Sequence, residues 1–186
     1  MGTLSYTATM SLDGYAADAT GDFQWSAPKD EVFQFHVDRM AAVSTEVLGR
    51  KTYLLMTYWE SDDDDSWSQA EREFARRWRE LERVVVSSTL TPADLGLTGT
   101  RLVTALEPAE LAGIVADAAG EVEIFGPTTA APAIRAGMVR DFRFFVVPKV
   151  VGGGLRALPD DASLDLSLVE HRTFDDHTAY LHYRAR

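Results

Sequence analysis

Short apolar runs alternate with helical stretches along the chain, and this interleaving limits the fold more than any single motif does. Leu4, Tyr6, Ala8 and Met10 alternate with Ser5, Thr7, Thr9 and Ser11, a period of two that predicts a first strand. Leu12-Asp13-Gly14 is a turn signal that ends it. Ala27-Pro28-Lys29-Asp30-Glu31 reads as a helix start, and Val32, Phe33, Val37, Met40 and Ala41 then share one face. Val43 to Leu48 predicts a strand, and Thr52 to Trp59, free of Gly and Pro, predicts a helix. Ser68-Gln69-Ala70-Glu71 has capping-box spacing and opens a helix to about Leu81. Strands are expected over Arg83–Ser88, Arg101–Thr104, Glu121–Phe125 and Phe142–Val151, with helices over Pro108–Ala119 and, after Gly126-Pro127-Thr128-Thr129, to Met138. Ser163–Glu170 and Thr178–Tyr183 close the chain as two strands joined near Asp175-Asp176. About eight strands interleaved with four or five helices predict a single α/β domain over residues 1–186. Its sheet is expected to be mainly parallel, with an antiparallel C-terminal strand pair.

Composition narrows the chemistry. A net charge of −11 argues against a nucleic-acid surface, because phosphate backbones demand a basic face. With no cysteine there is no disulfide framework, thiol nucleophile or thiolate metal site, which fits a reducing compartment. No leader pattern is visible at Met1-Gly2-Thr3-Leu4-Ser5, and no apolar run approaches the ~20 residues of a membrane span. The cytoplasm is the expected location. Glu60-Ser61 and the acids Asp62 to Asp65 read as a solvated loop, lacking the spaced ligands of a calcium loop. His36, His171, His177 and His182 are not spaced as metal ligands, and no metal site is expected.

Three strand ends carry phosphate-friendly groups: Gly49-Arg50-Lys51-Thr52, Ser87-Ser88-Thr89 and Gly126-Pro127-Thr128-Thr129. Helix starts offer free N–H groups and partial positive charge, and Arg50 offers a planar fork that matches phosphate oxygens. In open α/β sheets such junctions meet beyond the carboxyl ends of the strands, where ligands bind. A surface turn with ordinary helix-start chemistry is the alternative for Gly49-Arg50-Lys51-Thr52. Together the three corners suit a dinucleotide with an extra phosphate, NADPH rather than NADH. There is no G-x-G-x-x-G after the first strand, no Walker-A sequence, no G-x-S-x-G and no H-E-x-x-H. Asp30 borders the buried face of its helix, where partial desolvation would raise its pKa; a solvated acid flanking the helix start is the other reading.

The order of Ser11-Leu12-Asp13-Gly14, Trp25, Leu48-Gly49-Arg50-Lys51-Thr52-Tyr53, Val85-Val86-Ser87-Ser88, Phe125-Gly126-Pro127-Thr128 and Pro148-Lys149-Val150-Val151-Gly152-Gly153-Gly154 resembles the dihydrofolate reductase-like superfamily. Within it, the resemblance is to the reductase domain of bifunctional riboflavin-biosynthesis proteins and to stand-alone relatives of that domain. It implies a three-layer sandwich around an eight-stranded sheet. It also implies that Gly49, Arg50, Lys51 and Thr52 bind cofactor phosphates, that Ser87 and Ser88 contact the ribose phosphate, and that Gly126, Pro127, Thr128 and Thr129 cradle the pyrophosphate. Asp30, a few residues past Trp25, falls where the family places an active-site acid, with Met10, Phe33 and Trp25 as pocket walls. Pro127 lacks an N–H donor, and the acidic segment after Tyr58-Trp59 would repel a glutamate tail, so folate itself is not the expected substrate. The deaminase half of the riboflavin proteins, with its His-x-Glu and cysteines, has no counterpart in these residues. The expectation is an NADPH-dependent reductase of a small pterin- or pyrimidine-like molecule, working as a homodimer. A non-catalytic nucleotide-binding protein that keeps the fold is the rival.

Overall fold

The computed structural model describes residues 2–61 and 66–186. The acids Asp62 to Asp65, expected as a solvated loop, lie outside the described residues. Ten strands and five α-helices run in the order β1 (Leu4–Ser11), β2 (Tyr15–Asp18), α1 (Asp30–Met40), β3 (Val43–Gly49), α2 (Arg50–Met56), α3 (Gln69–Glu80), β4 (Glu82–Val86), β5 (Thr100–Val103), α4 (Pro108–Asp117), β6 (Glu121–Phe125), α5 (Pro127–Arg135), β7 (Asp141–Val147), β8 (Gly154–Arg156), β9 (Leu166–Thr173) and β10 (Ala179–Ala185). Eight of the strands form one sheet in the order β5-β4-β3-β6-β1-β7-β10-β9. The β5-to-β7 portion is parallel throughout, while β10 lies antiparallel to both β7 and β9. The expected mainly parallel sheet with an antiparallel tail is what forms.

Each face of the sheet buries a different chemistry. One face packs Tyr6, Val47, Val84, Ile124, Phe142 and Phe144 against Leu111 of α4 and Ala130, Ala133 and Ile134 of α5. The other carries two separate apolar clusters. Leu48 and Val85 meet Tyr53 of α2 and Trp78 of α3 in one, and Phe145 and Tyr180 meet Val32 and Phe35 of α1 in the other. A row of polar residues in register crosses all eight strands: Thr100, Arg83, Glu46, Glu123, Ser5, Asp141, Arg184 and Ser167. Five of these, from Arg83 to Asp141, are buried. Most of the buried members are satisfied by neighbours, as burial of polar groups demands, with Glu46 Oε2 the exception. Arg39 pairs with Glu123 at 2.7 Å, and Arg83 donates to the Trp78 and Thr98 carbonyls and to Thr100.

Several boundaries differ from the sequence reading for local reasons. β7 stops at Val147, not Val151, because Pro148 has no N–H for the ladder and the Lys149 N–H turns back to the Val147 carbonyl. β9 begins at Leu166 and runs to Thr173. The small pair β2–β8 was not expected; it forms because Gly154, at φ 132°, lets the chain pass directly over Ala17 and Asp18, where a Cβ would collide with their backbone. β7 is enclosed by β1 and β10 in the sheet.

Candidate functional site

The carboxyl ends of β4, β3 and β6 lie side by side, with Gly49 opposite Val86 and Leu48 opposite Phe125. The three phosphate-friendly stretches therefore meet at one end of the sheet. β3 runs straight into α2: Gly49 is the cap, with Arg50, Lys51 and Thr52 forming the first turn rather than a preceding loop. α2 has only seven residues, so its dipole is small and the charge at this corner comes mainly from Arg50 and Lys51. Both side chains are exposed, and among the described residues neither makes a hydrogen bond or ion pair. A Cβ on Gly49 would collide with Thr129 Oγ1 of α5, and one on Gly126 would lie 3.4 Å from Thr52 Oγ1. The two turns thus lie in contact: a side chain at the first would have to displace Thr129, and Gly126 at φ 86° needs glycine for its conformation. Pro127 takes the first position of α5, where its missing N–H costs no helical bond, and Thr128 and Thr129 follow.

The third corner is built differently. Ser87 is buried, and its Oγ accepts hydrogen bonds from the N–H groups of Thr89 (3.2 Å) and Leu90 (3.0 Å), so the hydroxyl first shapes its own loop. Ser88 is exposed beside it. The loop ends at Asp94, whose carboxylate accepts from the Thr91 N–H and hydroxyl, both at 2.7 Å. Those bonds, with a smaller contribution from the Arg50 guanidinium, hold Asp94 below the usual carboxylate range. An acid near Arg50 was not foreseen from the sequence.

Next along the same end of the sheet, past β1 and β7, lies a cavity of about 190 Å³. Thr9, Trp25, Val32, Phe145 and Val147 form its floor and sides, and Lys29, Lys149, Asp176 and Thr178 bring polar groups to it. Lys149 Nζ stands 5.8 Å from the centroid of the Trp25 ring. The loop bearing Lys149 is tied to the first turn of the chain: the Leu12 N–H donates to the Lys149 carbonyl (2.7 Å), and the Asp13 carboxylate accepts from Val151 (3.2 Å) and Gly152 (2.7 Å). Bonds from Ser11 and from those two N–H groups outweigh desolvation and hold the Asp13 carboxyl below its ordinary range.

Asp30 sits elsewhere. It is the first residue of α1, exposed, and does not line the cavity, so the partial desolvation considered for it does not occur. Of the three expected walls, Trp25 alone lines this cavity. Phe33 instead stacks on Phe74 and Trp59 at 5.3 and 6.0 Å, and Met10 packs on the opposite face of the sheet. Sequence reasoning missed Lys29, Asp176 and Thr178, because nothing local shows that the β9–β10 turn reaches α1. Lys149 lay within a quoted motif and had no role assigned. Among the described residues, no group of three or more His, Asp or Glu side chains is placed to hold a metal ion.

A profile of the family described as the RibD C-terminal domain matches residues 3–180. The chain belongs to that family. Its fold is shared with a protein from Shewanella sp. PV-4 described as a riboflavin biosynthesis protein, at 22% identity, 99% coverage of both chains and a TM-score of 0.76. Acinetobacter baumannii RibD matches at 15% identity and a TM-score of 0.75; this RibD C-terminal domain chain is covered fully and spans 58% of that one. Dihydrofolate reductase from Enterococcus faecalis, complexed with NADP(H), matches at 15% identity and a TM-score of 0.63, covering 100% of this chain and 97% of the other. The fold is thus dihydrofolate reductase-like, and the relation to the riboflavin-biosynthesis reductase domain holds. No curated protein matches.

Proposed function

We propose that this member of the RibD C-terminal domain family is an NADPH-dependent reductase of a small heterocyclic, pterin- or pyrimidine-like substrate. The observation that carries the reading is the pair of glycine turns, Gly49 and Gly126, pressed against Thr129 and Thr52 beside two uncommitted cations. Donors without internal partners at a helix start and a junction too tight for a Cβ are what a dinucleotide's phosphates require. Gly49, Thr52, Gly126, Thr128 and Thr129 would hold the pyrophosphate, and Arg50, Lys51, Ser87 and Ser88 the additional phosphate. NADPH, when bound, supplies the hydride, and the protein's part is orientation and electrostatics. The cavity beside Trp25 lies next in line along the sheet and is sized for a single ring system. The acid role expected of Asp30 is retained as a proposal; an unchanged rate in Asp30→Asn would remove it from the mechanism.

Titrating NADPH by fluorescence tests the reading. Arg50→Ala should weaken NADPH about tenfold or more and NADH by less than about threefold, since a charged hydrogen bond is lost only where the extra phosphate exists. No binding at millimolar NADPH would overturn the proposal. The exposure of Asp30 favours one rival, a nucleotide-binding protein without catalysis, which would bind NADPH while none of the pterins and pyrimidines in a screen oxidised it. For the proposed cytoplasmic homodimer, support comes from the eight-residue edge strand β9, where Leu168 and Val169 are about half exposed. Sedimentation of Leu168→Lys against the unmodified protein checks it.

A further inference from the structure

Resting on the reductase reading for its location, we infer that Asp176, not Asp30, is the carboxylate that selects the substrate, by accepting ring N–H groups. Among the described residues, Asp176 is the sole carboxylate that lines the cavity. Its turn is held rigidly. The Phe174 N–H donates to the Thr178 carbonyl (3.0 Å), and the His177 N–H to the Phe174 carbonyl (2.9 Å). His177 takes a left-handed φ of 66°, alone among the described non-glycine residues, so the turn carries backbone strain at the rim of a cavity. From α1, Glu31 accepts the Asp175 N–H at 3.0 Å and pairs with Arg172, which anchors the turn to the helix beside the cavity.

One Asp176 oxygen accepts the Thr178 N–H at 2.9 Å. Among the described residues the second oxygen has no protein donor, and neither Lys29 nor Lys149 forms an ion pair with it. Across the apolar floor of Val32, Phe145 and Val147, the cavity therefore offers one acceptor from Asp176 and two ammonium donors. A planar ring in which N–H and C=O alternate satisfies both kinds of partner, whereas a ring alkylated at nitrogen leaves the carboxylate without a donor. The ligand class is a lactam- or ureide-type heterocycle, its N–H toward Asp176 and its carbonyl oxygens toward Lys29 and Lys149. Discrimination of this kind is strong because the rejected analogue strands a polar group.

Uracil and 1,3-dimethyluracil are the probes, titrated calorimetrically into the protein with and without NADPH. The unmodified protein should prefer uracil by about tenfold or more. Asp176→Asn keeps the oxygen that binds Thr178 and should erase the preference while leaving 1,3-dimethyluracil binding, NADPH affinity and Tm unchanged. Asp30→Asn should keep the preference. The assignment is overturned if the preference survives Asp176→Asn, if Asp30→Asn removes it, or if uracil fails to bind the unmodified protein at ten-millimolar scale. Loss of NADPH binding with the uracil preference intact would sink the reductase reading and leave the role of Asp176 standing.

Discussion

Glu46 and Glu123 lie in register on β3 and β6, both buried, and their surroundings differ. Burial pushes Glu123 up, but the Arg39 guanidinium, the Thr7 hydroxyl and Arg143 together hold it below the ordinary value. Glu46 has weaker help: Arg83 and Arg39 attract it electrostatically, but among the described residues neither forms an ion pair with it. Its Oε2 is sealed without a partner, Arg39 is committed to Glu123, and Arg83 spends its donors on Trp78, Thr98 and Thr100. Desolvation, then Glu123, raises Glu46 well above 4.5. A raised folded pKa means stability that is complete below the unfolded value near 4.5 and is lost as pH climbs toward the folded one. Glu46→Gln should match the unmodified protein at about pH 4 and become progressively the more stable of the two as the pH rises toward 7, by urea unfolding. An equal difference at both pH values would mean that Glu46 is ionised in the fold. At Gly49 the residue type was legible and its reason was not. Gly49→Ala must push Thr129 aside, at a cost of about 1–3 kcal/mol. Adding Thr129→Ala should recover that stability but not NADPH affinity, which separates packing from phosphate binding.

At the scale of elements, the local signals were strongest where side chain and backbone interact within a few residues. The capping box is the clearest case: Ser68 accepts the Glu71 N–H at 3.2 Å and Glu71 accepts the Ser68 N–H at 2.7 Å. Ser68→Ala should cost about 1 kcal/mol in thermal or urea unfolding and leave NADPH binding unchanged, since α3 stands apart from the cradle. Signals failed where a partner lies far off in sequence. β2 and β8 have four and three residues, too few for a period to show, and they pair across the gap from Tyr15 to Arg156. α2 starts two residues before the helix that the sequence predicts, because Arg50 and Lys51 carry its first turn instead of a preceding loop.

On the scale of the molecule, four cations of this acidic chain stand along one end of the sheet: Arg50 and Lys51 in the first turn of α2, Lys29 and Lys149 at the cavity. An anionic dinucleotide would then add a binding energy present only in the folded state. NADPH at about 100 times its Kd should stabilise the fold by about 2.7 kcal/mol, raising Tm in a concentration-dependent way, and Arg50→Ala should need about tenfold more NADPH for the same shift. A shift of the same size with NADH would count against the role of Arg50.

Periodicity, caps and turn residues are local properties, so the chain alone determined the interleaved strands and helices, the mainly parallel sheet and the three strand-end stretches proposed to meet a cofactor. Tertiary structure decided which acid meets a ligand. Asp30 and Asp176 are alike in sequence, each an acid beside a turn or helix start, and what separates them is packing. α1 leaves Asp30 in solvent, while Glu31, one residue on, draws the distant β9–β10 turn down so that Asp176 lines the cavity. It also decided that Glu46 forms no ion pair among the described residues, because Arg39 is paired with Glu123 and the Arg83 donors go to Trp78, Thr98 and Thr100. Burial and long-range register fix both outcomes, and neither leaves a local mark on the sequence.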